Sequence, residues 1–337
     1  MKYVFGPVPS RRLGRSLGID PVPLKTCNWN CVYCQLGRSV PMSNEREAFV
    51  PASQILTQVE ETLRGLGPTG CDWLTLVGSG EPTLYLDLGE LIDGLKAMSH
   101  VPVAVCTNGS LLSDPDVRQA LRSADAVMPT VSAGSWEIYW RLHRPYPRLA
   151  YDDFVNALIQ FRSEYSGNLW PEVMLVKDIN DSEEAIDAIA NLMDRIQPDR
   201  IFITVPTRPP AETWVKPPGR ESRLYAAAKL DRFSKSISSG NAGFFINEGE
   251  AIEDAVLSIV SRHPMSQQEV EQTIADWSSD DAGQIMADLL ASGRFQIVER
   301  QGTQFWLAAE AHFPEAGSSD AVHPSRLRRL RAMRHRV

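Results

Sequence analysis

The chain has 337 residues, 43% of them hydrophobic, and 34 Lys and Arg against 42 Asp and Glu give a net charge of −8. That apolar content supports an ample core in one large domain or two to three smaller ones, while the longest apolar runs fall well short of the ~18 residues that read as a membrane span. Five cysteines, three of them crowded between Cys27 and Cys34, do not make a secreted disulfide framework and point instead to a reducing compartment with a metal or redox role.

The N-terminal MKYVFGPVPSRRLG is cut by Pro7, Pro9 and two arginines before a signal-type apolar region forms, so a cytoplasmic protein is expected. Charge is unevenly placed: residues 1–26 are net +4, the final HPSRLRRLRAMRHRV is net +6, and residues 27–322 are left at −18. An acidic body with basic ends repels polyanions over most of its surface, which confines any nucleic-acid contact to the ends.

In chain order, LGID (17–20) reads as a first strand leading into LKTCNWNCVYCQLG (24–37). Amphipathic helical patterns at 52–66, 86–98, 113–124, 151–165 and 182–196 then alternate with apolar runs at 72–78, 101–109, 126–134, 171–180 and 199–210. Six strands joined by helical crossovers predict an α/β fold with a parallel sheet, a partial (β/α)6 barrel whose chemistry sits at the C-terminal ends of its strands. Those ends carry Gly78-Ser79-Gly80-Glu81-Pro82, Thr107-Asn108-Gly109 and Ser132. Taken singly, such residues are ordinary turn formers; their concentration at one end of successive strands is the informative feature.

The pattern changes near residue 245. A helix over 246–263, a second opened by a Ser266/Glu269 capping box, a third over 278–292 and a hairpin over 294–308 turning at Gln301-Gly302 outline a winged-helix-like α+β domain. The expected division is 1–245 for the partial barrel, 246–310 for the winged-helix-like domain and 311–337 for a basic, flexible tail. The third helix carries Asp280, Asp281 and Asp288 and no Lys or Arg, the wrong charge for a DNA groove, so a docking module or a lid is expected rather than a DNA reader.

Cys27, Cys31 and Cys34 are spaced C-x3-C-x2-C, one short of the four ligands that close a metal site. Zinc requires a fourth ligand that His100 and His143 do not offer in any paired spacing, and a dithiol formed by Cys31 and Cys34 leaves Cys27 idle. A [4Fe–4S] cluster on three thiolates leaves one iron open to a non-protein ligand. Cys71 and Cys106 stand apart and read as small buried hydrophobes.

The cysteine loop with Tyr33 before its last cysteine, followed by GSGEP, TNG and Ser132 at successive strand ends, resembles the radical S-adenosylmethionine (radical SAM) enzymes over about residues 1–215. The resemblance implies that Cys27, Cys31 and Cys34 ligate a [4Fe–4S] cluster and that SAM chelates the fourth iron through its amino and carboxylate groups. It implies that Gly78 and Gly80 admit the methionine moiety, Glu81 orients its amino group, Tyr33 lies near the adenine, Asn108 and Ser132 bond the ribose or carboxylate, and Lys177 pairs with that carboxylate. Reductive cleavage of SAM to methionine and a 5′-deoxyadenosyl radical, hydrogen abstraction from a substrate, oxygen sensitivity and an electron donor such as flavodoxin or ferredoxin are implied with it.

GPVPSRRLGRSLGID and TVPTRPPAE further resemble a branch of poorly characterised radical SAM proteins grouped with wyosine-type tRNA modification enzymes, although the cysteine loop lacks the basic, histidine-rich surroundings of the wyosine enzymes proper. Arg208, His143 and Arg144 are the substrate-side candidates, with Arg11, Arg12 and Arg15 across the mouth; the bland alternative is that these arginines form surface ion pairs. The expected substrate is a macromolecule, tRNA or polypeptide. A small metabolite is the alternative within the class, and a non-enzymatic iron–sulfur regulator the alternative outside it.

Overall fold

The computed structural model describes residues 2–67, 70–230, 244, 246, 250–300 and 302–311. It opens with an antiparallel hairpin, β1 (Val4–Ser10) and β2 (Gly14–Ile19). Only the end of β2 was legible, because Pro7 and Pro9 read as strand breakers. β1 is an edge strand, where a missing N–H is tolerated, and its register slips between Phe5 and Val8, where Pro7 interrupts it.

Next come α1 (Ala52–Leu66), β3 (Trp73–Leu76), α2 (Leu88–Met98), β4 (Val103–Thr107), α3 (Pro115–Ala120), β5 (Ala126–Pro129), α4 (Trp136–His143) and α5 (Tyr151–Glu164). β6 (Asn168–Leu169), β7 (Glu172–Met174), α6 (Glu183–Ile196), β8 (Phe202–Thr204) and α7 (Arg220–Leu230) complete this part. From β2 to β6 all neighbours pair in parallel in sequence order. β6 and β7 are two pieces of one run parted at Trp170-Pro171; β7 meets the end of β5 through the Thr130–Glu172 bridge and pairs with β8 in parallel. The expected parallel sheet is present, and α4 and α7 are additions to it. In α4 the run WEIYWRLH has only two turns in which to show its period, and its start is fixed by Ser135 Oγ accepting Ile138 N–H at 3.4 Å.

Alternation along the strands sorts residues between two faces. Val103 and Val105 pack into the large core under the helices, while Ala104 and Cys106 turn to the other face with Met128, Phe202 and Leu13 of the hairpin turn.

A second core of its own, built on Val256, Ile259, Val270, Ile274, Phe295 and Trp306, holds α8 (Ile252–Val260), β9 (Met265–Ser266), α9 (Gln267–Trp277), α10 (Ala282–Ala291), β10 (Phe295–Arg300) and β11 (Thr303–Ala308) together. Its antiparallel sheet has the order β10-β11-β9. Arg300 pairs with Thr303, which puts the hairpin turn at the expected place; Gln301 lies outside the described residues and Gly302 takes φ +76°. The capping box is formed: Glu269 N–H donates to Ser266 Oγ at 3.2 Å and Ser266 N–H to Glu269 Oε2 at 2.7 Å. Ser266→Ala is expected to cost ~1 kcal/mol, read as a lower thermal midpoint of this unit. The arginine-rich tail beyond residue 311 lies outside the described residues. Among those described, no helix is long and apolar enough to cross a membrane.

Polar contacts join the two parts. Arg262, just after α8, donates from Nε to Asp20 Oδ2 at 2.6 Å and from Nη2 to the Lys2 carbonyl at 3.0 Å, and its guanidinium lies over the Phe5 ring. Its carbonyl accepts from Gln35 Nε2 at 2.9 Å. Beyond β8, Arg208 donates to the Pro264 carbonyl at 2.7 Å and meets the His263 ring. Residues 262–264 therefore touch both β1 and the loop after β8.

Candidate active site

The chain leaves β2 at Asp20 and crosses the C-terminal ends of β3 and β4 as the cysteine loop. Tight turns bring Cys34 N–H to the Cys31 carbonyl at 3.1 Å and Gly37 N–H to the Cys34 carbonyl at 3.2 Å. Asn30 and Val32 anchor the loop to the end of α4 through N–H bonds to the His143 and Leu142 carbonyls, both 3.0 Å. Each thiol meets a nitrogen: Trp29 N–H at 3.4 Å and Asn108 Nδ2 at 3.9 Å from Cys27 Sγ, His143 Nδ1 at 3.5 Å from Cys31 Sγ, and Lys25 Nζ at 3.3 Å from Cys34 Sγ.

Burial pushes the Cys27 thiol up to about 12, with the nearby Glu81 charge adding to it, and raises Cys31 well above the usual thiol range, with Cys27 and Cys34 adding to it. Thiols so placed ionise against a bound cation rather than in its absence. Among the described residues no three His, Cys, Asp or Glu side chains are gathered closely enough to hold one metal ion. Three thiols with a nitrogen at each suit a thiolate-bound centre.

The glycine-rich turn after β3 is locked to this loop. Lys25 N–H donates to the Ser79 carbonyl at 2.6 Å and Glu81 N–H to the Thr26 carbonyl at 2.9 Å. A Cβ on Gly80 would stand 1.9 Å from the Thr26 oxygen, and one on Gly78 would stand 2.3 Å from the Asp20 carboxyl carbon. The two glycines are thus already required by contacts within the protein, which the reading from sequence had assigned to the methionine moiety. Asp20 itself accepts Ser79 N–H at 3.1 Å and Ser79 Oγ–H at 2.6 Å.

Glu81 is buried, and its carboxylate is surrounded by protein donors: Thr83 N–H at 3.0 Å, Thr83 and Thr107 hydroxyls at 2.6 Å each, and Asn108 N–H at 2.6 Å. Burial raises its pKa and these bonds oppose the rise. The carboxylate ties the end of β4 to the glycine-rich turn. Asn108 sits beside Cys27, with Nδ2 donating to Asn28 Oδ1 at 2.7 Å.

Tyr33 Oη is 3.2 Å from His143 Nδ1, and the centre of the His143 ring lies 4.1 Å from that of Trp29 with the planes tilted by 32°. His143, expected on the substrate side, is instead buried behind the cysteine loop, where desolvation lowers its pKa from 6.5 to about 3 and keeps it neutral. The unfolded chain takes up that proton near pH 6.5 and the folded one only near 3, so this contribution to stability is complete above 6.5 and is lost as pH falls. Urea unfolding of the cluster-free protein at several pH values is expected to show a slope about 1.4 kcal/mol per pH unit shallower in His143→Gln within that window.

Ser132 is buried with Oγ accepting Met174 N–H at 2.9 Å, while Lys177 is exposed, its backbone N–H bonded to the Lys216 carbonyl at 3.0 Å. Arg144 and Arg38 share the buried carboxylate of Glu212, at 2.5 and 3.0 Å from Oε1. Arg208 serves the seam with residues 263–264 rather than the strand ends. Arg12 pairs with Glu172 and Arg15 with Asp72, the bland alternative for both, and Arg11 is exposed. Lys25, Asp20 and Trp29 were not singled out in the sequence. A lysine two residues before a cysteine cluster and an acid at the end of a strand were the available signals.

Residues 22–192, half of the chain, match the family described as the Radical SAM superfamily. The chain belongs to the radical SAM superfamily. It is accordingly an enzyme whose family uses a [4Fe–4S] cluster and SAM. UPF0026 protein MJ1312 of Methanocaldococcus jannaschii is 33% identical to this radical SAM chain over 316 residues, 91% of this chain and 96% of that protein. GTPase Obg of Brachyspira hyodysenteriae is 43% identical over 207 residues, which are 61% of this chain and span 30% of that relative's length. Among solved structures, TYW1 with a lysine-pyruvate adduct bound matches at TM-score 0.44 and 14% identity, covering 88% of this chain and 80% of that one. A radical SAM methyltransferase from Sphaerobacter thermophilus matches at TM-score 0.49 and 16% identity, covering 67% of each.

Proposed function

We propose that the protein is a cytoplasmic radical SAM enzyme in which Cys27, Cys31 and Cys34 hold a [4Fe–4S] cluster at the mouth of a partial (β/α)6 barrel, and that it abstracts hydrogen from a polypeptide docked through a winged-helix-like unit. The observation that carries the first half is the packing of the cysteine loop against the ends of β3 and β4, with a nitrogen at each sulfur. When bound, the cluster supplies the electron that cleaves SAM to methionine and a 5′-deoxyadenosyl radical, received from a donor such as flavodoxin or ferredoxin. The protein's own part is positional. Glu81 fixes Asn108 beside Cys27, the tight contacts at Gly78 and Gly80 hold the neighbouring turn, and Tyr33 and Ser132 line the ends of the strands.

Charge supports a polypeptide over tRNA. Residues 250–311 hold eleven acidic and three basic side chains, so a docking surface built there repels phosphates and attracts basic or neutral chain segments. The tRNA reading rests on the motifs GPVPSRRLGRSLGID and TVPTRPPAE and on the basic ends. The test is anaerobic reconstitution with iron and sulfide, then dithionite and SAM, with 5′-deoxyadenosine as the readout; an intact cluster that yields none would sink the enzymatic reading. RNA that copurifies at low salt and is released at high salt would overturn the polypeptide assignment.

A further inference from the structure

Lys25 stands out on two counts. It takes φ +64°, a left-handed conformation that a side chain with a Cβ adopts at a cost of ~1–2 kcal/mol, and such outliers persist where surrounding contacts hold them. The holding contacts are all at the site. Its N–H donates to the Ser79 carbonyl of the glycine-rich turn at 2.6 Å, and its ammonium donates to the Gly37 carbonyl at 2.6 Å and reaches Cys34 Sγ at 3.3 Å. Arg38 and Arg144 are drawn to Glu212, so among the Lys and Arg side chains Lys25 is the one that the described contacts place against a cluster sulfur.

We propose that Lys25 is a positioning residue that sets the reduction potential of the cluster, its ammonium donating a hydrogen bond to the Cys34 thiolate and offsetting the charge of the thiolate-bound centre. This rests on the cluster assignment above. Reduction adds one electron to a group that already carries thiolate charge, so a cation and an N–H···S bond stabilise the reduced form and raise the potential. The left-handed turn at Lys25 serves this role: it sends the backbone N–H to Ser79 while the side chain runs back under Cys34.

The experiment is a dithionite and mediator titration of the anaerobically reconstituted full chain, followed by EPR, in wild type, Lys25→Met, Lys25→Gln and Lys25→Arg, with iron and sulfide counted in each. In Met and Gln variants that hold the cluster, the ratio of reduced to oxidised cluster at a fixed potential is expected to fall about tenfold, a shift of ~59 mV to more negative potential, while Arg stays near wild type. Failure of Met and Gln to assemble a cluster that Arg assembles, with the wild-type potential, also supports the role of the cation. An unchanged midpoint in cluster-bearing Met and Gln variants, or loss of the cluster in the Arg variant as well, overturns it. A wild-type chain that binds no cluster would count against the underlying assignment instead.

Discussion

Replacing any one of Cys27, Cys31 and Cys34 by alanine is expected to bring 5′-deoxyadenosine formation down to the no-enzyme background, with iron and sulfide content falling in parallel and the fold retained. The fold is retained because the loop is anchored by backbone bonds, from Asn30 and Val32 to the end of α4 and from Lys25 and Glu81 to the glycine-rich turn, none of which uses a thiol. Activity is lost because two thiolates cannot leave one iron open while holding the other three. Cys71→Ala and Cys106→Ala are the controls. Cys71 is buried beside Asp72, and Cys106 packs on the far face of β4 with Trp73 and Trp170, so their loss is expected to lower stability modestly and leave the cluster in place. Equal loss in the controls, or 5′-deoxyadenosine from a variant lacking one of the three, would overturn the assignment.

Gly80→Ala is expected to have the second largest effect. Its methyl would stand 1.9 Å from the Thr26 carbonyl oxygen, a backbone atom with no flexible end to move aside. Relief requires parting the glycine-rich turn from residues 25–26, which breaks the Glu81 N–H bond to Thr26 and pulls the Glu81 carboxylate away from Thr107 and Asn108. The overpacking costs ~3 kcal/mol of stability. SAM affinity is expected to fall about a hundredfold, or ~2.7 kcal/mol, in equilibrium dialysis of the reconstituted protein. Gly65→Ala is the matched control: it sits in α1 with nothing within 4 Å of the added methyl, where alanine is expected to stabilise by ~0.5–1 kcal/mol.

The parts of the molecule that the sequence made legible are those with a strong local period or a fixed spacing. The helices of α1, α5 and α6 were readable because their apolar stripes run over at least three turns, and the capping box because two residues define it. β1 was hidden by its prolines and α4 by its short aromatic run. In the site, the cysteine spacing and the strand-end motifs could be read off directly, whereas the partners of each side chain could not. Arg208 and Arg144 look in sequence like free substrate forks, and only the folded chain brings Pro264, His263 and Glu212 to them. The left-handed turn at Lys25 leaves no compositional trace, since a lysine rather than a glycine fills it.

The Arg262–Asp20 contact joins residues 242 positions apart, and this bears on how the chain is made. On the ribosome the first strands and the cysteine loop emerge long before the cation that answers Asp20, so until α8 is complete the nascent sheet keeps an uncovered β1 edge and a carboxylate that cannot be buried without cost. The seat beside the glycine-rich turn is therefore completed only once Arg262 has been made, after every strand of the parallel sheet.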